Sequence, residues 1–203
     1  PVVDGPCLHP TEDQLKALGA AAASSGAVAL FHMVGVTPEA PSVGAAFQGR
    51  RPAVAHEIGV AELREARRGL TTGLEDHLDL VALGSPHFSL EEFRRLAAIV
   101  SGRRVHPDVR FLVTSSRAAT LLARRAGYLE ALEAFGGRVA VDTCILASPM
   151  LGPEVRALMT NSAKYAYYSP SLLNRRVFFG NLEDCVQSAI AGRVVRDEST
   201  WNM

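Results

Sequence analysis

Short apolar runs alternate with helical patterns along this chain. Thr11-Glu12-Asp13-Gln14 has the spacing of a capping box and predicts a helix ending near Ser25-Gly26. Ala27 to Met33 is apolar throughout except for His32, the pattern of a buried strand. Gly35 to Pro52 follows as a Gly/Pro-rich loop, long enough to suggest function. A helix is predicted over Ala61–Leu70 and a strand over Leu78–Leu83. Ser89-Leu90-Glu91-Glu92 is a second capping box, followed by Phe93, Leu96, Ala97 and Val100 at helical spacing. Phe111–Val113 reads as a strand, Arg117–Ala126 as a helix and Val139–Val141 as a strand. Pro153 suits the first position of a helix running to about Met159. After a strand at Val177–Phe179, Asn181 caps a last helix with Leu182, Cys185, Val186, Ala189 and Ile190 on one face, stopped by Gly192.

Apolar strands alternating with helices imply an α/β fold: a mostly parallel sheet with helices on both faces. Ligands bind such sheets beyond the carboxyl ends of the strands. Those ends carry His32 with Thr37-Pro38-Glu39, Gly84-Ser85-Pro86-His87, Thr114-Ser115-Ser116 and Asp142-Thr143-Cys144. Polar and reactive groups are therefore expected to gather where four strands converge.

Length and charge then narrow the classes. The 203 residues, 48% hydrophobic and 21% charged, suffice for a proper core and argue against disorder. Lys plus Arg and Asp plus Glu both total 21, so a nucleic-acid groove or an anionic membrane surface is not the expected partner. No apolar run approaches the roughly 20 residues that span a bilayer. Pro1-Val2-Val3-Asp4-Gly5 lacks the charged start of a signal peptide and reads as an internal part of something longer. Cys7, Cys144 and Cys185 are too scattered for a disulfide framework, which points to the cytoplasm. Only Lys16 and Lys164 among the basic residues are lysine, and Lys164 stands inside a polar motif.

The candidate chemistry begins with Cys144, which follows a strand beside Asp142 and Thr143. A thiolate there ligates a metal or acts as a nucleophile; a buried, inert thiol is as good a reading. Cys185, on an apolar helix face, reads as core, and Cys7 is assigned nothing. The sequence contains no CxxC, HExxH, GxGxxG or GxxxxGK, so neither a self-contained zinc site nor a nucleotide loop has support. Ser85 is a nucleophile, a ligand or a turn residue, and the turn is the commonest of these. His32 and His87 are candidate bases, against the commoner structural histidine. Lys164, in Thr160-Asn161-Ser162-Ala163-Lys164-Tyr165, suits a small anionic substrate, against the ordinary solvated lysine. Tyr165, Tyr167 and Tyr168 read as packing, Arg175-Arg176 as a solvated pair and the polar Arg196–Thr200 segment as a frayed terminus.

Five ordered motifs resemble the large-subunit region of the aconitase X family: 24–32 (Ser-Ser-Gly-Ala-Val-Ala-Leu-Phe-His), 35–40 (Gly-Val-Thr-Pro-Glu-Ala), 84–89 (Gly-Ser-Pro-His-Phe-Ser), 142–144 (Asp-Thr-Cys) and 160–165. The likeness runs over nearly the whole chain and covers about the C-terminal half of the family's catalytic region, with no internal boundary placed within residues 1–203. It implies an aconitase-like fold and an iron–sulfur hydro-lyase acting on a small hydroxy acid. By that resemblance Cys144 and Ser85 fall at metal-ligand positions, and Ser85, His87 and Lys164 are the catalytic candidates. Lys164, Ser162, His32, Thr37 and Glu39 are candidate substrate contacts. Many members, archaeal phosphomevalonate dehydratases among them, have a cysteine where this chain has Ser85. A neutral serine is a poor iron ligand, so a [2Fe–2S] or another cluster lacking three cysteines is expected. Serine there fits bacterial members that resemble cis-3-hydroxy-L-proline dehydratases. The N-terminal half of the catalytic region and a small swivelling domain or subunit are the implied partners, and the 203 residues alone are expected to be inactive.

Overall fold

A computed structural model describes residues 1–5 and 9–201, so Cys7 lies outside the described residues. Two parallel sheets organise the chain. The smaller pairs β1 (Val2–Val3) with β2 (His32–Met33). The larger has the order β5-β4-β3-β6-β7, every neighbouring pair parallel. Its strands are β3 (Leu80–Phe88), β4 (Arg110–Ser115), β5 (Arg138–Val141), β6 (Ala157–Thr160) and β7 (Arg176–Phe179).

Alternation along these strands feeds two cores. Val81, Leu83, Phe111, Val113, Met159 and Phe178 face one side. There they meet α4 (Leu90–Val100), α5 (Arg117–Arg125), α6 (Tyr128–Phe135) and α8 (Leu182–Ala191). Leu80, Ala82, Leu158 and Val177 face the other side, under α7 (Ala163–Tyr168) and residues 144–151. Helices thus cover both faces, as the sequence implied. Two further helices, α1 (Glu12–Gly26) and α3 (Val60–Gly69), flank this unit, and a π-helical turn, Ser169–Leu173, continues α7.

The capping boxes at Thr11, Ser89 and Asn181 all form. Three readings of the sequence do not hold. Ala27–Met33 is no buried strand: Ala27 ends α1 in a left-handed conformation, and Leu30 is 68% exposed. Only two residues of that run find a partner strand, so its hydrophobicity is not matched by a sheet. No helix follows Pro153; Ala157–Thr160 is instead a wholly buried strand between β3 and β7. Central placement in the sheet overrides the helical propensity of Ala, Leu and Met. The Arg196–Thr200 segment, expected to fray, is held by Asp197 N–H on Asp184 (2.9 Å) and by Arg67 on Glu198. In addition, the Gly35–Pro52 loop contains the short helix α2 (Val43–Ala46), capped by Ser42.

Both ends of the sheet are secured by side chains. Beside β7, the Thr71 and Thr72 hydroxyls accept from Phe179 N–H and Val177 N–H, both at 3.1 Å, and Gly73 N–H donates to the Val177 carbonyl. Residues 71–73 therefore cover an edge that would otherwise present unpaired groups. At the amino ends, Asp79 Oδ2 accepts from Arg156 N–H (2.8 Å) and Ala157 N–H (2.9 Å), and its Oδ1 meets His77 Nε2 at 2.7 Å. Burial alone would raise the Asp79 pKa, but the two backbone N–H groups and His77 outweigh it and hold the carboxyl below its usual value. Asp79→Ala is expected to cost about 1–3 kcal/mol by leaving donors at the start of β6 unpaired. The contribution is present above the ordinary Asp pKa of about 3.9 and is lost as pH falls through the lower folded value. Denaturant midpoints measured from pH 7 down to pH 2 should converge for wild type and variant; parallel curves would show that Asp79 is not the titrating staple.

Candidate active site

The arch of β3 makes the site possible. Leu83 pairs with Val113 and Phe88 with Ser115, so β3 advances five residues while β4 advances two. The three extra residues lift Gly84–His87 out of the ladder as a bulge. Gly84 has φ +93°, and a Cβ there would stand 2.0 Å from the Thr114 carbonyl oxygen, so only glycine fits.

Four segments at the carboxyl edge are tied to one another. Thr114 Oγ1 donates to the Gly84 carbonyl at 2.6 Å and lies 3.0 Å from Tyr165 Oη. Tyr165 Oη in turn is 3.9 Å from Cys144 Sγ. His87 Nε2 is 2.9 Å from the Thr143 carbonyl. Ser162 Oγ donates to the Ser85 carbonyl and accepts from Tyr165 N–H at 3.1 Å. The arch, the end of β4, the Asp142–Cys144 loop and the Thr160–Tyr165 segment thus form one hydrogen-bonded unit.

That unit leaves particular groups free. A carbonyl only accepts, so His87 Nε2 carries the proton, and in the neutral ring Nδ1 holds the lone pair. The Ser85 hydroxyl, on a buried residue, and the ammonium of Lys164, a residue of intermediate exposure, make no hydrogen bond or ion pair with a described residue. Cys144 is half-buried with a free thiol. Burial pushes the Tyr165 phenol well above its ordinary pKa despite the Thr114 contact, so it remains an O–H donor. Asp142, held below its usual value by the backbone and side chain of Arg117, anchors its loop to the start of α5.

The arch carrying Ser85 and His87, the loop carrying Cys144 and the segment carrying Ser162 and Lys164 are therefore brought together, with the Ser162 hydroxyl committed to the backbone on both sides. His32, Thr37 and Glu39 belong to the small sheet and its following turn, not to the end of a strand in the large one. Thr37 Oγ1 bonds back to Met33, His32 Nδ1 is buried without a partner, and Glu39 is exposed. Cys185 sits in the core, where burial raises its pKa well above normal, as the helix-face reading anticipated. Sequence reasoning missed the bridging roles of Thr114 and Tyr165, whose signal was only their position in polar motifs. It also missed Lys16, although lysine is as rare there as at 164. A cleft of about 260 Å³ lies between α1 and the arch, lined by Lys16, Ser85, Pro86, Asn161, Ser162 and Phe179 among others.

A parallel α/β domain with free reactive groups on interlocked loops at its carboxyl edge is built to handle a small ligand. Residues 78–191 match the aconitase X third-domain family and residues 1–68 its second domain. The chain belongs to the aconitase X family. It is 48% identical over 204 residues to the cis-3-hydroxy-L-proline dehydratase of Pseudomonas aeruginosa, covering 99% of this chain and 35% of that protein. It is 44% identical to the phosphomevalonate dehydratase large subunit of Methanothermobacter thermautotrophicus, over 81% of this chain and 39% of that one. The crystal structure of Thermococcus kodakaraensis aconitase X in its holo-form superposes with a TM-score of 0.76 at 28% identity, covering 93% of this chain and 47% of that chain. The chain thus spans between about a third and a half of the length of these relatives. Among the described residues, no helix is long and apolar enough to cross a membrane.

Proposed function

We propose that this chain is part of a cytoplasmic hydro-lyase that converts cis-3-hydroxy-L-proline to Δ1-pyrroline-2-carboxylate and water. The observation that supports the reading is the interlocked edge, which ties the arch carrying His87, the loop carrying Cys144 and the segment carrying Lys164 to one another. Lys164 binds the substrate carboxylate and stabilises the charge that develops on it as the α-proton leaves. His87 Nδ1 takes that proton, with the ring oriented by the Thr143 carbonyl. The 3-hydroxyl leaves as water, the proton it gains balancing the one taken by His87, and an enamine remains; transfer of a proton from the ring nitrogen to C3 then gives the cyclic imine. The similarity to the hydroxyproline dehydratase supports the substrate. So does the local charge: Arg117 is committed to Asp142, whereas Lys164 has no partner among the described residues.

A metal group at this edge would act as Lewis acid toward the leaving hydroxyl. This chain brings one thiolate, Cys144, and one neutral hydroxyl, Ser85. No set of three His, Cys, Asp or Glu side chains converges among the described residues. With a neutral serine at one position, these residues do not by themselves supply a three-cysteine set. Cys144 would supply one ligand of a cluster such as [2Fe–2S], the others coming from the remainder of the catalytic region. That remainder and a small swivelling domain or subunit would close the site around the anionic substrate.

The test is turnover by the complete polypeptide, purified anaerobically, with cis-3-hydroxy-L-proline and phosphomevalonate in parallel. Turnover of the proline alone, abolished in a folded Cys144→Ala variant, is the expected result. Turnover of phosphomevalonate alone would keep the reaction class and reassign the substrate. If neither reacts and no iron is bound, the chain is a ligand-binding domain without chemistry.

A further inference from the structure

We infer that Lys16 is a positioning residue for the dehydration: from α1, it fixes the His87 carbonyl and so aims the His87 ring. Its ammonium makes three contacts, to the His87 carbonyl at 3.0 Å, Glu92 Oε2 at 2.5 Å and Asp13 Oδ1 at 2.9 Å. Three donors meet one carbonyl and two carboxylates, an arrangement that suits lysine. The clamp is reinforced around it. Ser89 Oγ donates to Asp13 Oδ2 at 2.8 Å, and Glu92 Oε2 also accepts from Ser89 N–H at 2.9 Å. Burial works against the charge on Lys16, but Glu92 and Asp13 outweigh it and raise its pKa, so the ammonium persists.

His87 is consequently held at two points. Lys16 takes its carbonyl, while its ring is held by the Thr143 carbonyl, one residue before Cys144. The first hold comes from a helix in the second-domain match, the other from the third-domain match. His87 is exposed and sits on an arch outside the strand ladder, so packing alone does not set its direction. Loss of the Lys16 contact frees the carbonyl side of the arch and lets the ring and the Thr143–Cys144 loop drift together. The Lys16 ammonium contacts the His87 carbonyl and two carboxylates, not the Cys144 thiol, and acts through His87.

The kinetic part of this inference rests on the proposed dehydration, whereas its structural part does not. Lys16→Met and Asp13→Asn are compared in the full-length protein by steady-state kinetics with cis-3-hydroxy-L-proline and by hydrogen–deuterium exchange. Asp13→Asn weakens the ion pair but leaves the ammonium on the His87 carbonyl. Because small misplacements of a catalytic group are costly, Lys16→Met is expected to lower kcat about 30-fold while KM stays within about threefold. Exchange should rise at residues 84–88 and 142–145 and nowhere else in the large sheet. Asp13→Asn should stay near wild type in both measurements. Should Lys16→Met fail to fold, Lys16→Gln, one bond shorter, is expected to show the same local rise and the same kcat loss. Wild-type exchange in the Lys16 variant, or equal effects in both variants, would overturn the inference. If the wild-type protein dehydrates neither substrate, the proposed function fails, and the exchange comparison alone decides the role of Lys16.

Discussion

Replacing Lys164 by methionine is expected to lower kcat/KM for cis-3-hydroxy-L-proline by about a thousandfold, the scale of losing a charge-stabilising contact in the transition state. The side chain is half-buried and has no partner among the described residues, so its charge contributes nothing visible to the fold. Methionine keeps most of the apolar stem, so thermal stability should stay level while activity collapses. The two measurements together are diagnostic. A variant that loses stability in step with activity would make Lys164 a structural residue, and one that keeps its activity would remove it from the substrate site.

The second large effect belongs to Gly84. An alanine there must hold φ near +93° and place its Cβ 2.0 Å from the Thr114 oxygen. Strain at a positive φ together with a backbone collision is expected to cost at least about 3 kcal/mol. The arch must move to relieve it, and Ser85 and His87 move with it. A displacement of that kind is expected to reduce turnover more than about a hundredfold, even at temperatures where the variant is folded. Denaturant unfolding and turnover of Gly84→Ala measure the two losses separately. If the fold weakens while turnover stays intact, the arch does not set the reacting geometry.

How legible was all this beforehand? The long amphipathic helices and their caps were, because Thr11, Ser89 and Asn181 each act through neighbours three residues away. Strands β3, β4, β5 and β7 were legible too, since buried parallel strands read as short continuous apolar runs. Strand β6 was not. Ala157-Leu158-Met159-Thr160 has helix-forming residues and a proline upstream, and only its place between β3 and β7 makes it a strand. The reverse error at Ala27–Met33 has the same origin, an apolar run with too little to pair with. At the site, the residues with reactive groups announced themselves by type and by position after a strand. The residues that hold them did not. Thr114, Tyr165 and Lys16 act across separations of 21 to 71 residues. Contacts over such distances in sequence leave no periodic trace.

The covered edge of β7 bears on how this protein can move. Residues 69–77 join the two family matches, where a hinge between lobes would ordinarily be sought. Thr71, Thr72 and Gly73 instead lie along β7, bonded to it through two hydroxyls and the backbone. Rotation about this segment would strip the strand of its cover and leave its N–H groups bare. Any opening and closing around a substrate would therefore pivot elsewhere, with α1, the arch and the sheet moving as one block.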